Sequence, residues 1–365
     1  MTLFGTLNLY IARRFVVTIF TIVVSIAVLI VIVDFVEQFR KFSDRSSFTG
    51  WTSLKLAAMH LPAILEDILP FIFLFGAIVC LINLSRKLEL VVARASGLSV
   101  WRFLAAPLVI AVIVGGLSTT ALNPLATAMN NKAADMESTL RSAKTRREPR
   151  RSDDGIWFRQ SSMNGSSILY AGGASQRGEV LSDVRVFVFD HTGRFSEKID
   201  AEQALYQNRT WRLESVVVAA KGEPPVTAET YILPTRLSRK DVHDALTLPE
   251  NLSFWDLPDF IDTASQTGIN ADRFRLAYHQ QLARPLFLIA MIIIAATVSL
   301  RLTRYGGTGK LVVTGIAAGF LLYVVTEIIS DLGGNGILNP ALSAWAPSII
   351  ALTFGATILL FQEDG

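Results

Sequence analysis

Long apolar stretches dominate the pattern of hydrophobic and polar positions along this 365-residue chain. A helix needs roughly 20 mostly apolar residues to cross the hydrocarbon core of a bilayer, and six stretches come close to that length. They lie at about 15–36, 56–85, 101–125, 280–300, 311–330 and 341–361. The second stretch is interrupted by Glu66 and Asp67, so we expect its first turns to lie at the membrane interface or against protein. The pattern predicts six membrane spans in two groups of three.

The pattern changes between about 131 and 278, where no apolar stretch is long enough to span. Residues 184–189 alternate, with one interruption, between apolar and polar positions and end in the turn sequence 190–193. Similar short runs occur at 156–159, 167–171, 194–207, 211–219 and 230–233. Short strands at this spacing indicate a sandwich, a jelly roll or an open barrel. From about Ser253 to Arg273 the apolar residues recur every three or four positions, which predicts a helix that leads back to the membrane.

The composition agrees with a membrane protein, because 51% of the residues are hydrophobic and only 18% are charged. The first apolar run is too long for the core of a cleavable signal peptide and precedes no small-residue cleavage site, so we expect it to be retained. Cys80 is the only cysteine, and the four histidines do not have zinc-ligand spacing. These features exclude a disulfide framework and a thiolate metal cluster and argue against a zinc hydrolase. We expect no catalytic residues and no metal site.

Lysine and arginine near the ends of the spans predict the orientation, since they are enriched on the cytoplasmic side. The cations that share one side are Arg13, Arg14, Arg86, Lys87, Arg94, Arg102, Arg301, Arg304 and Lys310. Both termini are then cytoplasmic and the inserted β domain is external. A basic block at 141–151 lies in the external domain, where the charge rule is weaker because the translocated region is long.

The segment 86–97, between the second and third stretches, is too short and too charged to span but has a helical pattern. Its one acid, Glu89, lies among Arg86, Lys87 and Arg94. A carboxylate at this position can pair with an arginine of a soluble partner, or the segment can be an interfacial linker with solvated charges. The glycine-rich segment 306–310 lacks the first glycine and the final Ser or Thr of a P-loop, so we expect this chain to bind no nucleotide.

Charged residues also cluster at the outer end of the first span, at Asp34, Glu37, Arg40 and Lys41. With Lys132 and the basic block, these cations can surround an external vestibule for an amphiphile that bears phosphate or carboxylate groups, or they can anchor the chain at the lipid headgroups. In the fifth span, Gly315 and Gly319 form a GxxxG motif, which permits close helix packing in lipid.

Three spans, an external β domain, a helix and three further spans resemble the LptF/LptG permease family of the lipopolysaccharide exporter. The resemblance covers essentially the whole chain. The local sequences that carry it are 88–97 (LELVVARASG), 156–159 (IWFR), 184–190, 192–194, 201–206, 211–213, 313–315 and 319–320. Residues 90–92 and the opening 7–11 resemble the LptG branch more than the LptF branch.

The resemblance implies a polytopic α-helical membrane protein with six transmembrane helices, arranged 3+3, and an inserted periplasmic all-β jelly-roll-like domain. The implied divisions are 1–130 for transmembrane helices 1–3 with a cytoplasmic coupling helix at about 86–97, 131–250 for the β domain, 251–278 for a connecting helix and 279–365 for transmembrane helices 4–6. The chain would lie in the bacterial inner membrane.

The resemblance also implies partners and roles. The chain would form a heterodimer with an LptF-like permease on two copies of an LptB-like ATPase, which uses ATP and Mg, while this chain binds no cofactor. LptC-like and LptA-like proteins would form the periplasmic bridge, lipopolysaccharide would be the substrate, and no nucleic acid is involved.

The resemblance also implies roles for individual residues. Glu89, flanked by Arg86 and Arg94, would couple the chain to the ATPase. The first and fifth spans would be lateral gates, and we assign Gly315 and Gly319 to the packing of the fifth. Arg40 and Lys41 match the family's lipopolysaccharide contacts, and we add Lys132 to them. Asp34 stands where relatives can carry a cation.

Three further classes of function stay open from the residues alone, of which an intrinsic enzyme is the most distant because no nucleophile–base pair or metal set stands out. One is a membrane-anchored envelope scaffold or sensor whose β domain binds a ligand without transport. Another is a permease of the lipoprotein-release kind, which the 3+3 arrangement disfavours because those permeases usually have four spans with the external domain after the first.

Overall fold

The computed structural model describes most of the chain. The described residues are 6–43, 48–87, 89, 92, 99–142, 150–162, 165–174, 180–190, 192, 194–207, 209–220, 224–235, 249–267, 270–299 and 308–364. The chain divides into two compact units. The first consists of Met1–Ala133, Ser253–Leu257 and Asp272–Gly365, and the second of Ala134–Leu252 and Pro258–Ala271.

Long helices build the first unit. In chain order the helices are α1 (Thr6–Phe42), α2 (Gly50–Arg86), α3 (Val100–Leu117), α4 (Asn123–Ser142), α5 (Leu257–Thr267), α6 (Asp272–Ser299), α7 (Thr308–Gly334) and α8 (Pro340–Asp364). A π-helical turn, Ser118–Leu122, joins α3 to α4 without a break. Within the described residues, six helices are long and apolar enough to cross a membrane: α1, α2, the continuous α3–α4, α6, α7 and α8. The predicted 3+3 arrangement of six spans is therefore confirmed.

The first two spans extend well beyond the apolar stretches that predicted them. Both α1 and α2 have 37 residues, and a helix of that length is about 55 Å long, whereas the hydrocarbon core is about 30 Å thick. The helix α2 begins where the Thr49 hydroxyl accepts a hydrogen bond from the Thr52 backbone N–H at 3.3 Å, which caps the helix N-terminus. Both helices are therefore longer than a bilayer core requires.

The inserted unit contains a β-sheet, as predicted, together with most of α5 and the end of α4. Its described strands are β1 (Arg150–Ser162), β2 (Gly165–Ala174), β3 (Val180–Phe189), β4 (Phe195–Gln207), β5 (Thr210–Ala220) and β6 (Val226–Pro234). They form one sheet in the order β1-β2-β3-β4-β5-β6, and every neighbouring pair is antiparallel. Each of the six runs predicted from the sequence lies in a strand or overlaps one. The predicted turn after β3 is also present, because Asp190 Oδ1 accepts backbone hydrogen bonds from Thr192 and Arg194 at 2.8 and 2.9 Å.

One apolar cluster, to which β2 to β6 contribute, holds the sheet together. Trp211 is fully buried at its centre and packs edge-on against Tyr206, with ring centroids 5.3 Å apart. At its margin the Tyr231 hydroxyl donates to Glu197 Oε1 at 2.9 Å. Burial, together with this bond to a carboxylate, raises the pKa of Tyr231 to about 12, so the phenol stays a neutral donor well above neutral pH.

The spans differ greatly in how much of their surface is covered. In both α2 and α6, 61% of the most apolar stretch is buried, but the figure is 6% for α1 and 11% for α7. The helices α2 and α6 therefore form the centre of the first unit, and α1 and α7 present most of their apolar side chains outward.

Close packing between α3 and α6 depends on Gly115. A Cβ atom added there would lie 2.6 Å from the Cα atom of Pro285, a backbone atom that cannot rotate away. We expect Gly115→Ala to lower the free energy of unfolding by about 1–3 kcal/mol because it overpacks this contact.

The neighbouring Gly116 is the matched control, since a Cβ atom there would meet nothing within 4 Å. Gly116→Ala replaces a helical glycine with a better helix former and should leave stability unchanged or raise it by up to about 1 kcal/mol. Thermal unfolding of the purified variants in detergent measures both. Equal midpoints for the two variants would contradict the close contact of Gly115 with α6.

Candidate functional site

Glu89, the acid singled out in the sequence, is joined to the first span. It is helical and half-buried. Its Oε1 atom accepts a hydrogen bond from the Tyr10 hydroxyl at 3.1 Å, and that hydroxyl accepts one from Arg14 Nε at 3.0 Å. The Arg14 guanidinium also lies 5.2 Å from the centre of the Tyr10 ring, within the range of a cation–π contact. We call Tyr10, Arg14 and Glu89 the coupling cluster.

The second oxygen of Glu89 has a different environment. Glu89 Oε2 is enclosed and has no hydrogen-bond partner in the described part of the chain. An enclosed carboxylate oxygen without a partner carries a desolvation cost, which an incoming cation or N–H donor would remove. The coupling cluster therefore holds one carboxylate oxygen of Glu89, while the other is out of contact with solvent and would have to be uncovered before a partner could bind it.

The structure describes only one of the two cations predicted to act with Glu89. Arg86 is the last residue of α2 and is exposed. Arg94 lies outside the described residues, as do most of its neighbours in the segment 88–98. Their assignment to the coupling of a partner stays a prediction.

At the opposite end of α1, the predicted substrate cations lie in the last helical turn. Arg40 and Lys41 are both exposed there, where positive charge complements the negative end of the helix dipole. The Lys41 ammonium lies 5.7 Å from the centre of the Phe42 ring. Lys132 is exposed on α4. Exposed cations at the end of an apolar helix are suited to an anionic headgroup, and this role too stays a prediction.

Asp34, two turns before Arg40, points to α2 rather than outward. Its Oδ2 atom lies 2.9 Å from His60 Nδ1, and its Oδ1 atom accepts a hydrogen bond from Gln38 Nε2 at 3.3 Å. Only 13% of the Asp34 side chain is exposed. An acid in this position joins α1 to α2, which gives it a structural role that does not involve a headgroup.

The first and fifth spans, named as gates by the resemblance, are the most exposed of the six. Among the outward apolar residues are Phe20, Leu29 and Val33 on α1 and Phe320 and Leu321 on α7. Such surfaces need lipid, an acyl chain or another helix to cover them.

The glycines of the GxxxG motif in α7 face inward. A Cβ atom at Gly315 would approach Ile78 at 3.1 Å, and one at Gly319 would approach Leu74 at 2.2 Å. The motif therefore packs α7 against α2 of the same chain, and the exposed face of α7 is a different one.

A buried polar cluster that the sequence only hinted at lies among the central helices. Glu66 Oε1 accepts hydrogen bonds from Asn123 Nδ2 and Gln281 Nε2, both at 3.0 Å, and forms a short ion pair with Arg284. The signal in the sequence was a pair of opposite charges inside predicted spans. As for metals, no group of three or more His, Cys, Asp or Glu in the described part of the chain could hold an ion.

Comparison with known families decides the class of the protein. The family model described as lipopolysaccharide export system permease LptF/LptG matches residues 9–361, nearly the entire chain. The chain belongs to the LptF/LptG family. It is therefore an integral inner-membrane permease of the lipopolysaccharide export class, with six apolar helices and an inserted β domain.

Individual relatives agree over almost their full lengths. The lipopolysaccharide export system permease protein LptG of Haemophilus influenzae is 26% identical over 377 residues, which cover 99% of this permease and 99% of the relative. The protein of the same name from Escherichia coli K12 is 25% identical over 359 residues, which cover 94% and 95% of the two chains. The resemblance to the LptG branch, drawn from the residues around Glu89 and the first helix, is confirmed.

Proposed function

We propose that this permease is one half of a heterodimer that extracts lipopolysaccharide from the periplasmic leaflet of the inner membrane. An LptF-like permease is the other half, and two LptB-like ATPases that use ATP and Mg supply the energy. The lipid then passes to a bridge of LptC-like and LptA-like proteins. Membership of the family and the outward apolar faces of α1 and α7 support this assignment.

The observation that carries the proposal is the hydrogen bond between Tyr10 and Glu89. Glu89 lies between the second and third spans, in the segment 86–97 that the sequence predicts to be a coupling helix, where a soluble ATPase would dock. Tyr10 lies near the start of α1, the first gate helix. A partner arginine that pairs with the Glu89 carboxylate therefore acts on a group already attached to the gate, so a movement of the ATPase reaches α1 through one hydrogen bond.

The chemistry of the substrate matches the two ends of α1. Acyl chains need an apolar surface, which the exposed valine, leucine and phenylalanine side chains of α1 provide. Phosphates need cations, which Arg40 and Lys41 provide at the end of that surface. A lipid held in this way can be squeezed toward the β domain when the ATPase closes the dimer.

The proposed orientation places both termini in the cytoplasm and the β domain in the periplasm. We expect a cysteine introduced at Ser142, at the end of α4, to react with a membrane-impermeant maleimide in cells whose outer membrane alone is permeabilised. Native Cys80 is buried and free, so it gives little background. A cysteine at Thr2 is the control and should react only after the inner membrane is opened. The reverse pattern would invert the topology.

Lateral entry between α1 and α7 makes a second prediction. A photo-crosslinking amino acid at Arg40, or at exposed Phe320 of α7, should trap lipopolysaccharide in cells. The same amino acid at Ala290, which is fully buried in α6, should trap none. The adducts are detected by immunoblotting for lipopolysaccharide. Adducts in the β domain without any on α1 or α7 would contradict lateral entry.

A further inference from the structure

Three central spans meet at the buried acid Glu66, and none of the predicted roles uses this acid or its partners. Only 6% of the Glu66 side chain is exposed, and its Oε1 atom takes donors from Asn123 of α4 and from Gln281 and Arg284 of α6. Arg284 Nη1 also donates to Ser118 Oγ, in the π-helical turn, at 3.2 Å. We call Glu66, Asn123, Gln281 and Arg284 the hinge cluster.

Prolines interrupt two of these spans at the level of the hinge cluster. Proline has no backbone N–H, so Pro70 leaves the carbonyl of Glu66, and Pro285 that of Gln281, without its regular α-helical donor. Another helix satisfies the second carbonyl, because the Thr119 hydroxyl donates to Gln281 O at 2.8 Å. Backbone hydrogen bonding is therefore interrupted in α2 and α6 at the level where Glu66 of α2 bonds to Gln281 and Arg284 of α6.

The third span is interrupted at the same level in another way. The π-helical turn Ser118–Leu122 lies immediately before Asn123, and Pro124 leaves the carbonyl of Thr120 without its α-helical donor. The indole N–H of Trp255 donates to that carbonyl at 3.1 Å. All three spans at the cluster thus have an interruption in backbone hydrogen bonding, and side chains from other segments bond two of the freed carbonyls.

The cluster also holds the segment through which the chain returns from the β domain. Asn123 Oδ1 accepts a hydrogen bond from the Phe254 backbone N–H at 2.9 Å, while Asn123 Nδ2 donates to Glu66. The Phe254 ring stacks on Tyr278 of α6 with an interplanar angle of 3°. The segment Ser253–Leu257 belongs to the helical unit, although the chain before and after it belongs to the β unit. One amide therefore connects the buried ion pair to the re-entry segment.

Stability alone does not account for this arrangement. A buried ion pair stabilises a fold no better, and often less, than well-packed apolar side chains of the same volume. Proline inside a helix and a π-helical turn are each destabilising. Intramembrane charges are retained where they serve a function, and interruptions in helices mark the points where they bend.

We propose that the hinge cluster is the point at which the three central spans bend during export, so that movement begun at the coupling cluster reaches the re-entry segment, through which the chain returns from the β domain. Glu66 and Arg284 act as positioning residues that keep the three interrupted helices in register while they bend. The source of the movement rests on the proposed function. The position of the hinge rests on the geometry of the described residues.

The test repairs the interruptions without removing the charges. Pro285→Ala and, as a second variant, Pro70→Ala restore a backbone donor at the cluster. In the co-purified complex, each should raise the thermal unfolding midpoint by about 2–4 °C or more and lower ATP-dependent lipopolysaccharide release about tenfold. Pro347→Ala, in the first third of α8, a helix that contributes no residue to the hinge cluster, is the matched control. It should raise the midpoint in the same way and leave release unchanged.

Each outcome decides the proposal. Wild-type release by both Pro285→Ala and Pro70→Ala overturns the hinge, as does an equal loss in Pro347→Ala. Failure of both cluster variants to assemble also overturns it, because repaired helices should assemble normally. If the wild-type complex itself releases no lipopolysaccharide with ATP, the proposed function fails instead, and the two failures are therefore distinguishable.

Discussion

Replacing Glu89 by lysine is expected to abolish lipopolysaccharide-stimulated ATP hydrolysis in the reconstituted complex, with a loss of at least about a hundredfold in export. Glu89 is half-buried and its Oε1 atom is held by Tyr10, so a cation from the ATPase would complement the charge of this carboxylate on docking. A lysine at position 89 would face the cation of the ATPase and would lie near Arg14. The attraction between this chain and the ATPase would be lost, and charge repulsion would replace it. The measurement is phosphate release with and without lipopolysaccharide.

Two milder variants separate charge from packing at the same site. Glu89→Asp keeps the charge on a shorter side chain and should retain a large part of the coupling. Tyr10→Phe keeps the ring that Arg14 contacts but removes the hydroxyl that holds Glu89 Oε1, so we expect about a threefold loss of coupling with normal assembly. Wild-type coupling in Glu89→Lys would remove the docking role and favour an envelope scaffold over a transporter.

Replacing Glu66 by leucine should be the most destabilising single change in the helical unit. It leaves Arg284, whose side chain is 17% exposed, without its carboxylate, and the loss of one partner of a buried pair costs up to about 3–5 kcal/mol. Asn123 and Gln281 lose their shared acceptor at the same time. The purified variant should unfold at a markedly lower temperature or concentration of denaturant.

The matched variants show whether the charge pair is the cause. Glu66→Leu combined with Arg284→Leu removes both charges and should recover most of the lost stability. Glu327→Leu, which replaces an exposed acid of α7, should change stability by less than about 1 kcal/mol. If the double variant is as unstable as the single one, the ion pair is not the source of the effect.

Much of the fold could be predicted because the bilayer imposes a strong constraint on sequence. Six apolar stretches correspond to the six long helices, and six short runs correspond to β1 to β6. The positions of Arg40 and Lys41 at the end of α1 could also be predicted from the sequence, because they depend only on where one helix ends. Local patterns were sufficient wherever an element's own residues decide its structure.

Contacts between distant parts of the chain could not be predicted in this way. Tyr10 and Glu89 are 79 residues apart, and Glu66 and Arg284 are 218 residues apart. Each charge was visible inside or beside a span, but no periodicity states which two helices are neighbours. The same limit applied to Gly319, since a small residue indicates a close contact without indicating that the contact is with Leu74 of α2.

Lipopolysaccharide release from proteoliposomes distinguishes an ATP-coupled permease from an envelope scaffold. The permease is co-purified with its proposed LptF-like and LptB-like partners and reconstituted with lipopolysaccharide. Transfer to a soluble periplasmic acceptor is then measured. We predict transfer that requires ATP and Mg and that disappears with Glu89→Lys. ATP hydrolysis without transfer, or transfer that is indifferent to Glu89→Lys, would contradict the account of this chain as an ATP-coupled lipopolysaccharide permease.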